Sequence, residues 1–228
     1  SILEEAKANQ GEKGSQNQLL GAYYASFIDM ETRNQRGLSG IQQELNRIDS
    51  MNRKDFIVQM IAANHKDGIG SAFSFGVGQD MKNVTKNAAY MGQGGIGLPN
   101  KDYYLTENKK EILQSYKKHI TKSFTLLGYE TEQAQKMSEE IVGFETKLAE
   151  SMMSPAEMRI PEKTYNKKSL KETINLLGSF DLRYYFSTVG CQIPDTIIVS
   201  NPSYLKKVEP EAYSVFQCIL PNNPGYFL

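Results

Sequence analysis

Residues 92–105 read Gly92-Gln93-Gly94-Gly95-Ile96-Gly97-Leu98-Pro99-Asn100-Lys101-Asp102-Tyr103-Tyr104-Leu105. Gly92, Gly94 and Gly97 satisfy the G-x-G-x-x-G pattern of dinucleotide-binding loops. There the glycines let backbone approach a pyrophosphate, and the helix that follows offers its N-terminal amides. The surroundings contradict that chemistry. Leu98-Pro99-Asn100 stands where the helix must start, and no acidic residue lies about 20 positions on to hold a ribose. The flanking chain does not alternate strand and helix. The stretch reads as a bend joining a strand to a helix, so the fold is not a doubly wound α/β sheet.

On its N-terminal side, Ala72-Phe73-Ser74-Phe75-Gly76-Val77-Gly78 alternates bulky and small residues, which puts Phe73, Phe75 and Val77 on one face of a strand. The polar segment Asp80 to Lys86 contains turn formers, and Asn87 to Met91 returns antiparallel. Further upstream the period is helical. Leu20, Tyr23 or Tyr24, and Phe27 form one stripe, and Ile41, Leu45 and Ile48 a second with Ser39 as its cap. Phe56, Ile57, Met60 and Ile61 form a third, capped by Asn52 and stopped before Gly68.

On the C-terminal side, Ile112 or Leu113, Tyr116, Ile120, Phe124 and Leu127 predict a helix that stops at Gly128. Thr131 caps the next, whose apolar positions Ala134, Met137, Ile141, Phe144, Leu148 and Met152 recur at helical steps until Ser154-Pro155. Ser169-Leu170-Lys171-Glu172 is a capping box, and Gly178 ends that helix. Phe180 to Phe186 predicts another short helix, Thr196 to Val199 a strand, and Asn201-Pro202 the start of a last helix. The Met and aromatic stripes read as core. The fold class is mainly α: a multi-helix lobe with a small antiparallel β-hairpin. Nothing in the composition divides residues 1–228 into separate domains.

Composition narrows the function. The 228 residues carry 26 basic and 26 acidic side chains, divided evenly between the two halves, so no basic face exists to grip a nucleic acid. The longest aliphatic run, Ile197-Ile198-Val199, is far short of the roughly 20 residues of a membrane helix. The N-terminus is polar, without a signal-peptide pattern. His65 and His119, like Cys191 and Cys218, are too far apart in sequence for a shared helix face or knuckle. His65 reads as a last-turn helix residue that favours the dipole, and His119 as a solvated one. Cys191 and Cys218 are compatible with a disulfide or with free thiols. Ser115-Tyr116-Lys117-Lys118 and Ser203-Tyr204-Leu205-Lys206 fit S-x-x-K, but the S-D-N and K-T-G partners of a serine acylase are missing. Glu139, Glu140 and Glu145 read as the solvated face of an amphipathic helix. Asn83-Val84-Thr85 matches a glycosylation acceptor.

A resemblance rests on six ordered segments. Gly94 to Leu105 resembles the GLP-x-x-x-YYL hallmark of the N-terminal domain of neprilysin-type zinc endopeptidases, a family that includes endothelin-converting enzyme and bacterial oligopeptidases. Leu19 to Asp29, with Tyr23-Tyr24-Ala25-Ser26, resembles its Y-x-S-x-x-D helix, and Gln42 to Asp49 its L-x-x-I-D continuation. Phe73 to Asn83 resembles F-x-F-x-V-x-x-D-x-x-N, Ile141 to Ala149 resembles I-x-x-x-E-x-x-L-A, and Tyr165 to Leu170 resembles YN-x-x-x-L. The likeness covers about residues 16–205; the tail over 211–228 departs from it.

The resemblance implies a parent enzyme that hydrolyses oligopeptides with zinc held by H-E-x-x-H and a downstream glutamate. Neither motif occurs in this chain, so the resemblance assigns no catalytic, cofactor-binding or metal residue to any position here. Zinc is implied for the full-length enzyme only. The chain is expected to be one partial domain, the non-catalytic lobe that caps the active-site cavity and restricts substrate size, inactive alone. Its expected partners are the catalytic domain of the same polypeptide, oligopeptide substrate, and other copies of itself through the exposed lobe surface. The expected location is extracytoplasmic. The alternative is a stand-alone helical module that binds peptide or protein.

Overall fold

The computed structural model describes residues 1–9, 11–50 and 55–208. Asn52, Cys218 and the tail over 211–228 lie outside the described residues. The chain divides into two compact units, Ser1–Met51 and Asn52–Leu228.

The first unit holds α1 (Ile2–Ala8), α2 (Gln16–Ile28), α3 (Met30–Arg36) and α4 (Gln42–Asp49). Ser1 and Glu4 form a capping box at α1, and Asp29 caps α3 by accepting from the Thr32 amide at 2.9 Å. Both short helices escape the periodicity because neither carries an apolar stripe. Helix α4 has Ile41 in its cap position and no side-chain cap, so Ser39 does not serve as one. The α2 stripe is the larger departure. Leu20, Tyr23 and Phe27 remain 42%, 69% and 64% exposed, and only Gly21 of that helix is buried. The period identifies the helix; it does not say what lies against the apolar side.

The second unit contains α5 (Asp55–Lys66), β1 (Phe73–Asp80), β2 (Asn83–Gln93), α6 (Asp102–Leu105), α7 (Lys110–Leu126) and α8 (Thr131–Ser151). After them come α9 (Pro161–Thr164), β3 (Asn166–Ser169), α10 (Leu170–Leu176), α11 (Leu182–Val189) and β4 (Thr196–Val199). A last helix covers 202–208. The chain is mainly helical, and this unit carries one small four-stranded sheet. The predicted hairpin is present as the antiparallel pair β1–β2, but its turn is only Met81-Lys82. The sheet order is β1-β2-β4-β3, with β4 parallel to β2 and antiparallel to β3. The strand β3 was not legible because Asn-Lys-Lys-Ser has neither β-branched residues nor an apolar alternation. Helix α8 begins at Thr131 with Glu130 in the cap position.

The core lies in this unit. Ile57, Val58 and Ile61 of α5 join one cluster with Phe73 and Met91 of the hairpin, Leu148 of α8 and Met152 just after it, Tyr185 and Phe186 of α11, and Ile197 and Val199 of β4. Phe73 meets Phe180 and Tyr185 edge to face with centroids 5.5 and 5.4 Å apart, the geometry that aromatic quadrupoles favour.

Candidate functional site

The 94–105 stretch leaves β2 and lies along α8. Glu145, one turn before Leu148 on α8, is buried and receives three hydrogen bonds, two from that stretch and one from α7. The Gly97 amide donates to its Oε1 at 3.1 Å, the Tyr116 hydroxyl to the same oxygen at 3.1 Å, and the Tyr104 hydroxyl to Oε2 at 2.8 Å. The Leu98 amide in turn donates to the Tyr104 oxygen at 2.9 Å. Burial raises the Glu145 carboxyl above its ordinary range, while the three donors pull the other way. Burial is also the first cause that raises the Tyr104 and Tyr116 phenols.

Glu145 is therefore not a solvated-face residue as its helix position suggested. It stands in line with Ile141, Leu148 and Met152 and anchors the bend. Glu139 is exposed, paired with Lys117 at 2.6 Å, and Glu140 is half-buried. The last carbonyl of α8 and the two that follow it are also satisfied from elsewhere. Asn201 donates to Ser151 O at 3.0 Å, Lys101 Nζ to Met152 O at 2.8 Å, and Gln93 Nε2 to Met153 O at 3.0 Å.

The glycines face the chain itself. A side chain on Gly97 would collide with the Tyr116 ring, and one on Gly95 with the backbone of Ala72. The bend follows β2, whose parallel neighbour β4 is reached through the helices between them, but it packs on Glu145, Tyr116 and Ala72, so its glycines face protein rather than a pyrophosphate.

A second junction joins two more of the ordered segments. Asp80, at the end of β1, accepts from the Lys82 amide at 2.9 Å and the Tyr165 hydroxyl at 2.8 Å. It also pairs with Lys167 Nζ of β3 at 2.9 Å. Lys82 Nζ lies 4.5 Å from the Tyr165 ring centre. The Lys167 bond is the first cause that holds Asp80 at about 2, below the usual 3.8. A depressed carboxyl stabilises the fold fully above its unfolded value and loses that contribution as pH falls through the folded one. The melting-temperature gap between wild type and Asp80→Asn should stay constant from pH 8 to 5 and close between about pH 4 and 2. A gap unchanged down to pH 2 would exclude the ion pair as its source.

The remaining candidates are dispersed. Ser115 Oγ donates to the Glu111 carbonyl, and Ser203 is exposed beside buried Tyr204, so neither S-x-x-K serine meets a base. Asn83 and Thr85 are exposed at the hairpin turn, with Thr85 Oγ1 donating to Asn83 Oδ1 at 2.7 Å. His119 is exposed on α7. His65 does lie in the last turn of α5, but its ring is turned inward and both nitrogens are engaged, by Tyr185 and Ser71.

The sequence pattern of the N-terminal region of Peptidase family M13 matches residues 1–212. The chain belongs to Peptidase family M13. Endothelin-converting enzyme 1 of Rattus norvegicus is 30% identical over 172 residues, 72% of this chain and 22% of that protein. The endothelin-converting enzyme homolog of Locusta migratoria is 29% identical over 147 residues, 61% of this chain and 20% of that protein. The chain thus spans about a fifth of these relatives. Among solved structures, the inhibitor complex of the Mycobacterium tuberculosis zinc metalloprotease Zmp1 superimposes with a TM-score of 0.78 at 27% identity, over 96% of this chain and 33% of that one.

For this M13 chain, zinc does not fit the residues present. Among the described residues no group of three or more His, Cys, Asp or Glu is arranged to hold a metal ion. His65 has no ring nitrogen to spare. The junctions that the structure does contain are structural: they bind the glycine-rich bend and the hairpin to their neighbours, and both carboxylates are buried.

Proposed function

We propose that this chain is the non-catalytic lobe of an M13 zinc metalloendopeptidase, capping the active-site cavity and restricting it to small peptides. The carrying observation is the likeness to one third of a zinc metalloprotease over 96% of this chain, in a chain whose described residues offer no metal-binding group. The catalytic machinery, with its zinc, belongs on this reading to the remainder of the polypeptide, and the enzyme to an extracytoplasmic compartment. The apolar side of α2 supports a docking role, because Leu19, Leu20, Tyr23 and Phe27 form an exposed run on a short helix. That same surface would drive self-association when the chain is alone. It also favours a second reading, a stand-alone module that binds peptides there.

Two measurements on the isolated chain separate these readings. Incubation with zinc and an oligopeptide mixture should give no chelator-sensitive cleavage; zinc-dependent hydrolysis would overturn the non-catalytic assignment. Peptide titration by calorimetry should give no saturable heat. Micromolar binding would instead support the stand-alone module.

A further inference from the structure

Between α5, β1 and α11, His65 uses both ring nitrogens. Nε2 lies 2.9 Å from the Ser71 carbonyl and Nδ1 2.7 Å from the Tyr185 hydroxyl. A carbonyl only accepts, so Nε2 carries the proton of the neutral ring and Nδ1 accepts from Tyr185. The ring stands edge-on to Phe73 at 5.2 Å and to Tyr185 at 5.7 Å. Tyr185 is fully buried, and its hydroxyl takes no other hydrogen bond among the described residues. The groups facing the imidazole are the Tyr185 hydroxyl from α11, Phe73 of β1 and the Ser71 carbonyl. Cys191 is the other titratable group beside Tyr185. No ion pair reaches the imidazole among the described residues, so a positive charge there would meet only the Ser71 carbonyl and the C-terminal end of α5, not a carboxylate.

We propose that His65 and Tyr185 form an acid-triggered latch: a proton taken from solvent at Nδ1 turns the acceptor into a donor and strands the Tyr185 hydroxyl proton in the core, loosening α5 from α11. The neutral arrangement satisfies every polar atom of the pair. The protonated one cannot, because Tyr185 would have to accept from Nδ1 while its own proton has no acceptor. Burial supports this by holding His65 below its ordinary 6.5, against the opposing backbone bonds of Ser71 and Phe73. With the folded value depressed, the contribution is complete above about pH 6.5 and lost as pH falls through the folded value.

The test combines proton NMR with amide hydrogen exchange on the whole chain. The two histidines are assigned with His119→Gln, and the His65 midpoint should lie below 6.5. After correction for intrinsic rates, α5 and α11 amides should lose at least about tenfold more protection between pH 7.5 and 5 in wild type than in His65→Gln. A midpoint at or above 6.5, or equal losses in both proteins, would overturn the latch. Should His65→Gln fail to fold, the wild-type titration decides alone.

Discussion

Replacing Glu145 with alanine should lower stability by about 3–5 kcal/mol, the summed cost of leaving its donors without an acceptor. The size follows from what the carboxylate holds. Its removal orphans the Gly97 amide and the Tyr104 and Tyr116 hydroxyls together, and each unpaired buried group costs about 1–3 kcal/mol. Tyr116 is only half-buried and can turn to water, which limits the total. Glu145→Gln keeps the shape but presents an amide N–H to a donor, so its expected cost is smaller, about 1–3 kcal/mol. Urea unfolding at pH 7 measures both. A double-mutant cycle with Tyr104→Phe should show the two sites to be non-additive. An alanine variant within about 0.5 kcal/mol of wild type would mean that the carboxylate does not anchor the bend.

That anchor shows where sequence reading succeeded and where it stopped. The long α8 stripe, the Ser169–Glu172 capping box and the β1–β2 alternation were legible because each is a local pattern with a local cause. The burial of Glu145 was legible in principle. Ile141, Glu145, Leu148 and Met152 recur at helical steps, and an acidic residue inside an apolar stripe is a signal for a buried, hydrogen-bonded carboxylate. Reading the acidic residues of this helix as one solvated set concealed it. What no local pattern contained was the pairing across the chain. Asp80 finds Tyr165 and Lys167 more than eighty residues away, and β4 joins β2 in parallel across a comparable gap. Four of the six ordered segments of the resemblance gain a physical meaning from such pairings. The YYL tyrosine meets the glutamate of the I-x-x-x-E helix, and the aspartate of the hairpin segment meets the tyrosine of YN-x-x-x-L.

The glycine-rich bend makes the opposite kind of demand, and Gly95→Ala tests it. Gly95 has φ +72°, a region that costs an L-residue about 1–2 kcal/mol. A Cβ there would sit 2.7 Å from the Ala72 nitrogen and 2.8 Å from its Cα. Those are backbone atoms, and Ala72 itself is held at φ +50°. The Tyr204 hydroxyl reaches the carbonyls of both Ala72 and Gly94, so the two chain segments are tied together where they would have to part. Overpacking against a fixed backbone adds about 1–3 kcal/mol, and the expected loss is about 3 kcal/mol in urea unfolding. Gly143→Ala is the control. That glycine lies on the exposed side of α8 with nothing near its absent side chain, and alanine in a helix interior should stabilise by about 0.5–1 kcal/mol. Opposite signs at the two positions would show that the glycines of the bend serve close contact within the lobe. Two changes of the same sign and size would leave the bend free of Ala72 and return its glycines to some other use.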